Sequence, residues 1–195
     1  MNKLTRYFDT EVRQADNDNR VVVGKAVVFD VETDMGWYTE KIDRHAFDGA
    51  DLSDVVLNFN HDMSILLAGT RNGSMAVKVS DTGVYQEASI IDTTQGEDAL
   101  KLVRSGLINK MSFQFTIAEG GDNWETKDGR EYRTITKVDK VYDLSLVTFP
   151  AYSQTSVFAR SEDKLAQEHK ALLERRAEQD KKMEEIFNGN GKNLI

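Results

Sequence analysis

The chain has 195 residues, 39% of them hydrophobic, which is enough to bury one good-sized core and carry an appendage. Its 33 acidic and 25 basic side chains leave a net charge of −8 with no Lys/Arg-dense run, which excludes a general nucleic-acid binder, because neutralising phosphates needs a basic face. There is no cysteine, so disulfides, a thiolate nucleophile and thiolate metal ligation are excluded, and hydroxyl, imidazole, carboxylate or backbone groups must carry any chemistry.

The residues from Met1 to Asp9 alternate charged and apolar side chains and do not form a basic segment followed by an apolar one, so no signal peptide is expected. No apolar run approaches the roughly 20 residues that cross a bilayer. The expectation is a soluble protein of cytoplasmic origin whose partners are proteins, with no membrane partner.

Leu4 to Phe8 is a short predicted strand, and Asp16-Asn17-Asp18-Asn19 reads as a turn. Val21 to Phe29 is β-branched and long enough for a buried strand, with Gly24 marking a bulge or a close backbone approach. Trp37 to Ile42 alternates, Asp43 to Asp51 reads as a short helical turn capped by Asp43, and Val55 to Phe59 is a strand leading to Asn60-His61-Asp62. Ile65 to Thr70, Ser74 to Ser80 and Val84 to Ile90 are alternating runs separated by Arg71-Asn72-Gly73 and Asp81-Thr82-Gly83, the pattern of a β-meander.

Thr93-Thr94 caps a predicted helix through Leu107, with Ala99, Leu102, Val103 and Gly106 at helical spacing. Met111 to Ala118 returns to strand alternation, the glycine-rich charged stretch from Glu119 to Arg130 reads as a surface loop or hairpin tip, and Tyr132 to Val138 leads back. Val141 to Phe149 is the last strand, stopped by the only proline, Pro150. From Ser161 to Phe187 acidic and basic residues alternate around sparse apolar ones, the pattern of a charge-laced amphipathic helix ended by Asn188-Gly189-Asn190-Gly191. The predicted fold class is mainly β with α: an antiparallel β-barrel core with flanking helices over residues 1–160, and a charged C-terminal helical tail over 161–195.

Three histidines limit any imidazole-dependent mechanism. His169 falls in the charged tail, where a solvated face explains it, and His45 in a short turn reads as a surface or packing residue. His61 directly follows a buried-looking strand between Asn60 and Asp62, which either fix a ring tautomer or simply form an Asx turn. Ser112 stands in K-M-S-F-Q-F-T, where alternation puts Phe113, Phe115 and Ile117 on the core face and Ser112, Gln114 and Thr116 on the other. A polar-face serine is ordinary by itself, and without G-x-S-x-G a strand-to-helix nucleophile elbow is excluded.

Asp143 begins an apolar strand, V-Y-D-L-S-L-V-T-F-P, a placement that is unfavourable unless the carboxylate is exposed at an edge or paired. A hydroxyl, an imidazole and a carboxylate on three strand ends are the parts of a serine-type triad, which is defined by geometry, and spacing alone does not bring them together. His61, Asp62 and a distant carboxylate could also bind a divalent ion, but no H-x-x-x-H or repeated D-x-D spacing supports a metal site.

Four segments together resemble the prohead maturation proteases of tailed bacteriophages, a family related in fold to the herpesvirus assemblins. They are G-K-A-V-V-F-D at Gly24 to Asp30, N-F-N-H-D at Asn58 to Asp62, L-V-R-S-G-L-I-N-K-M-S-F-Q-F at Leu102 to Phe115, and L-S-L-V-T-F-P-A-Y at Leu144 to Tyr152. The resemblance runs from about Thr5 to Arg160 in the family's order. It implies that His61 is the general base, Ser112 the nucleophile and Asp143 the third member, where the family commonly has the longer glutamate and the herpesvirus relatives a second histidine. A further departure is Arg44-His45-Ala46-Phe47, where the family often has a proline-glycine pair before Ala-Phe.

The implied activity is a serine endopeptidase working through an acyl-enzyme without a cofactor, with backbone N–H groups as oxyanion donors worth about 3 kcal/mol each. The implied partners are the major capsid protein as substrate, through its scaffolding segment, and the protein itself, by self-cleavage inside the immature capsid in the host cytoplasm. The resemblance leaves self-association open. Two readings compete: a non-catalytic internal scaffold or assembly chaperone for the capsid protein, and a hydrolase of non-peptide esters.

Overall fold

A computed structural model describes residues 3–8, 12–14 and 20–148, all within one compact unit, Met1–Tyr152. The expected turn at Asp16 to Asn19 and the charged helix from Ser161 lie outside the described residues, as does Pro150.

In chain order the elements are β1 (Leu4–Phe8), β2 (Val12–Gln14), β3 (Val21–Val28), β4 (Thr33–Asp34), β5 (Tyr38–Ile42), β6 (Val56–Phe59) and β7 (Asp62–Gly69). They continue with β8 (Met75–Ser80), β9 (Gly83–Ser89), α1 (Thr94–Arg104), β10 (Lys110–Ile117), β11 (Asp122–Lys127), β12 (Arg130–Ile135) and β13 (Val138–Val147). The expected mainly β character is present. The barrel is not: the described strands form three sheets, ordered β1-β10-β13-β6-β7, β11-β12-β5-β4 and β2-β3-β9-β8. Closure would need a continuous ladder of backbone hydrogen bonds, and the strands are divided among separate ladders instead. The pairing is mostly antiparallel, as expected, with two exceptions: β13 runs parallel to β6 and β12 parallel to β5.

The expected meander is corrected in the same way. β8 and β9 pair as a hairpin, but β7 pairs with β6 in the five-stranded sheet, so Arg71-Asn72-Gly73 carries the chain from one sheet to another. The expected bulge at Gly24 falls slightly later, where the β3–β9 register shifts between Lys25 and Val27. There a Cβ on Gly83 would lie 2.0 Å from the Val27 carbonyl oxygen, so the close approach is made by the glycine on the partner strand. Asp43 to Asp51 forms successive turns rather than a helix, with Asp43 Oδ1 accepting the His45 N–H at 2.8 Å. The Glu119 to Arg130 stretch is the expected hairpin tip, at Asp128-Gly129, together with the strand β11, which pairs with β12 across it.

The helix starts where its cap predicts: Thr93 Oγ1 accepts the Gly96 N–H at 3.0 Å. It buries Ala99, Leu100 and Val103 against the sheets. Gly106, expected on that apolar stripe, instead follows the helix at φ +72°, where an L side chain is strained and glycine is not. The shared core is built from Val22, Ala26 and Val27 of β3, Leu57 of β6, Phe113 and Phe115 of β10, and Leu144 and Leu146 of β13. Phe113 and Phe115 stack with ring centroids 4.6 Å apart.

A buried ion network ties β1 to the β11-β12-β5-β4 sheet. The Arg6 guanidinium is paired with Glu40, which is 3% exposed, through a short Nε contact and through NH2 at 2.7 Å. Glu40 Oε2 also takes Arg133 NH1 at 3.2 Å, and Arg133 NH2 reaches Asp122 Oδ2 at 2.7 Å. Removing one member of a buried charge network strands the others in a low-dielectric interior. Glu40→Ala is therefore expected to lower unfolding stability by about 3 to 5 kcal/mol in denaturant titration, because it leaves two buried guanidinium groups without their shared carboxylate.

Candidate active site

Ser112 lies on β10, flanked by β1 and β13, with Tyr7 and Ser145 as its register partners. The sheet face that carries it was expected to be simply polar, yet its centre is buried: Ser112, Asn58 and Ser145 are wholly inaccessible and Asp143 is 1% exposed. Alternation assigned Ser112 to its face correctly. That burial depends on neighbours from distant sequence. Asp143 is not an edge charge either, because β13 is the middle strand of the five. Of the two ways such an aspartate is tolerated, this one is paired.

His61 reaches the same face from a tight turn. Phe59 pairs with Asp62 across Asn60-His61, and both turn residues have positive φ, 51° and 59°. Those are the signs of a two-residue type I′ hairpin, in which glycine is the usual second residue. A histidine there costs about 1 kcal/mol in left-handed backbone. This strain sits at the residue whose ring meets Asp143 and Ser112.

The turn aims the imidazole along the sheet between the other two residues. His61 Nδ1 lies 2.7 Å from Asp143 Oδ1, and His61 Nε2 lies 2.6 Å from Ser112 Oγ. Ser112 Oγ also lies 3.0 Å from the Arg6 carbonyl oxygen, to which it can donate. The His61 side chain is 11% exposed and that of Asp143 2%. The structure thus brings all three sequence-predicted residues into one hydrogen-bonded line. The short Asp143 side chain reaches the ring because the turn is held against the strand that carries it.

The arrangement has a defined proton logic. A neutral imidazole protonated at Nδ1 donates to Asp143 and leaves the Nε2 lone pair to accept from Ser112. An imidazolium donates at both nitrogens, and the serine proton then goes to the Arg6 carbonyl. Only the first state contains a base for the hydroxyl.

The residues flanking His61 separate into two roles. Asp62 turns away into an Asx turn, where its Oδ1 accepts the Ser64 hydroxyl at 2.6 Å and the Ser64 N–H at 2.8 Å. The Ser64 hydroxyl first, then its backbone N–H, holds the Asp62 carboxyl below the usual carboxylate range. Asn60 faces β13 instead, and Thr148 donates its N–H to Asn60 Oδ1 at 3.1 Å. His45 is a surface residue, with Nδ1 3.1 Å from Asp48 Oδ2 and both side chains exposed. His169 lies outside the described residues. Among the described residues no group of three or more His, Asp or Glu side chains is arranged to hold a metal ion, and no helix is long and apolar enough to cross a membrane.

Sequence reasoning missed two contributors, Ser145 and the Arg6 carbonyl, and named Asn60 without its ties to β13. Ser145 accepts the His61 backbone N–H at 2.9 Å, the Arg6 carbonyl faces the Ser112 hydroxyl, and Asn60 fixes the turn. Asn60 alone left a signal, since asparagine is the favoured first residue of a type I′ turn.

The unusual backbone at His61 separates its side-chain role from its conformational cost. Glycine accepts φ 59° freely and alanine does not, so His61→Gly is expected to be about 1 kcal/mol more stable than His61→Ala in thermal or denaturant unfolding. Both variants lose the imidazole.

The chain matches no curated protein and no solved structure. A family model described as caudovirus prohead serine protease matches residues 8–170, which takes in the strands that carry Ser112, Asp143 and the His61 turn. The chain therefore belongs to the caudovirus prohead serine protease family.

Proposed function

We propose that Ser112, His61 and Asp143 act as the catalytic triad of a serine endopeptidase that cleaves the scaffolding segment of the major capsid protein, and itself, inside the immature capsid in the host cell. The observation that carries this reading is the unbroken hydrogen-bonded line from Asp143 Oδ1 through the His61 ring to Ser112 Oγ, at 2.7 and 2.6 Å. His61 Nε2 takes the proton from Ser112 as Oγ attacks the peptide carbonyl. Asp143 holds the ring in the tautomer that can accept it and stabilises the imidazolium that results. The proton then passes to the leaving amine, and water activated by the same nitrogen releases the acyl group from Oγ.

Residues 161–195, outside the protease domain of residues 1–160, are the arm that meets the scaffold or is removed by self-cleavage. Co-expression with the capsid protein tests the reading, with intact-mass measurement of both chains. The expected result is a defined cut in the capsid protein and in the protease, both lost in His61→Ala. Undiminished cutting by His61→Ala would refute it, and assembly that proceeds without any cutting but fails when residues 161–195 are deleted would favour the scaffold reading.

A further inference from the structure

Resting on that reading, we infer that Ser145 and Asn60 are positioning residues, which clamp the His61 turn to the strand carrying Asp143 and so fix the general base from its backbone. In a two-residue hairpin neither central N–H belongs to the strand ladder, so such a turn can rock about its two strand ends. Here both are tied down, and to the same strand. The Asn60 N–H donates to the Leu146 carbonyl at 2.9 Å, and the His61 N–H donates to Ser145 Oγ at 2.9 Å. The Asn60 side chain adds a third tie, since its Oδ1 accepts both the Thr148 N–H at 3.1 Å and the Thr148 hydroxyl at 3.3 Å.

Ser145 is wholly buried, and its hydroxyl has the Leu146 and Asn58 carbonyls at 3.3 and 3.4 Å to donate to, so an oxygen lone pair remains for the His61 amide. β13 therefore supplies the acid at Asp143 and anchors the base at Ser145 and Leu146, with Thr148 directly after the strand. With backbone and acid on one rigid element, the ring has only its two side-chain torsions to settle, and its hydrogen bonds to Asp143 and Ser112 fix both. The strained φ at His61 needs such over-determination to persist.

The test uses Asn60→Gly, Ser145→Ala and Ser145→Thr in the full chain, each compared with wild type by three measurements. These are the thermal midpoint, the rate at which a fluorophosphonate probe labels Ser112 as a function of pH, and the low-field proton resonance of the His61 Nδ1–H. Glycine accepts the φ of Asn60 but removes its carbonyl, so Asn60→Gly should melt within about 2 °C of wild type. It should nevertheless label about tenfold or more slowly, because loss of register at a reacting group is costly even when it is small. Ser145→Ala should label about 10- to 100-fold more slowly, and Ser145→Thr should recover most of that loss.

In both damaging variants the Nδ1–H resonance should broaden or vanish through exchange with water. Wild-type labelling rates and an unchanged resonance in Asn60→Gly and Ser145→Ala would overturn the clamp. Failure of the catalytic reading looks different: wild type would not label at Ser112, or would label equally in His61→Ala. Even then the resonance, which depends on the His61–Asp143 hydrogen bond alone, decides whether the clamp exists.

Discussion

Replacing Ser112 by alanine is expected to reduce peptide cleavage by about 10⁵- to 10⁶-fold in kcat, the loss seen when an attacking oxygen is removed from a working triad. The protein should remain folded. Ser112 Oγ faces His61 Nε2 and the Arg6 carbonyl, so its loss deprives those two groups of a partner and should cost about 1 kcal/mol, small against the 5 to 15 kcal/mol typical of a domain. Single-turnover assay with the capsid protein as substrate, beside a denaturant titration, separates the two effects. A drop in activity with unchanged unfolding places Ser112 in the chemistry. Equal losses of both would make it a packing residue.

Asp143→Asn is expected to cost about 10⁴-fold in kcat with little change in KM, although only one atom changes identity. The side chain is 2% exposed and has the His61 ring nitrogen 2.7 Å away, so an amide there cannot avoid that contact by turning to solvent. An Asn that presents its Nδ2 needs an acceptor at Nδ1, which drives the ring proton to Nε2 and points it at Ser112 Oγ. The serine then meets a donor where it needs a base. If the amide turns its oxygen to the ring, the tautomer survives but the carboxylate charge that stabilises the imidazolium is gone. Steady-state kinetics on Asp143→Asn, with circular dichroism to verify folding, checks this, and a variant within about tenfold of wild type would show that Asp143 does not act through His61.

Much of this site was legible in the sequence because its three residues belong to strongly patterned segments. Alternation around Ser112 placed it on the polar face of its strand, and an aspartate among Val, Tyr and Leu demanded either an edge or a partner. The four matching segments then singled out His61. What alternation does not encode is which strands share a sheet. Ser112 and Asp143 meet through the β10–β13 ladder, and the turn is brought beside them by the parallel β13–β6 pairing, whose partners are more than 80 residues apart in sequence.

The His61 turn was hidden for a local reason. Two-residue hairpins announce themselves by Asn-Gly, and here the glycine position holds the catalytic candidate, so Asn60-His61 reads as a strand end. The same blindness to pairing produced the expected barrel and meander, since β7 and β8 alternate alike but lie in different sheets. Gly106 shows the reverse, a residue at helical spacing whose positive φ ends the helix it was expected to continue.

The most direct test is to treat the purified protein with a fluorophosphonate and locate the adduct by peptide mass. The geometry predicts one adduct, on Ser112 Oγ, absent from Ser112→Ala and strongly slowed in His61→Ala and Asp143→Asn. An adduct on another serine, or one that forms equally well in the Ser112→Ala protein, would contradict it.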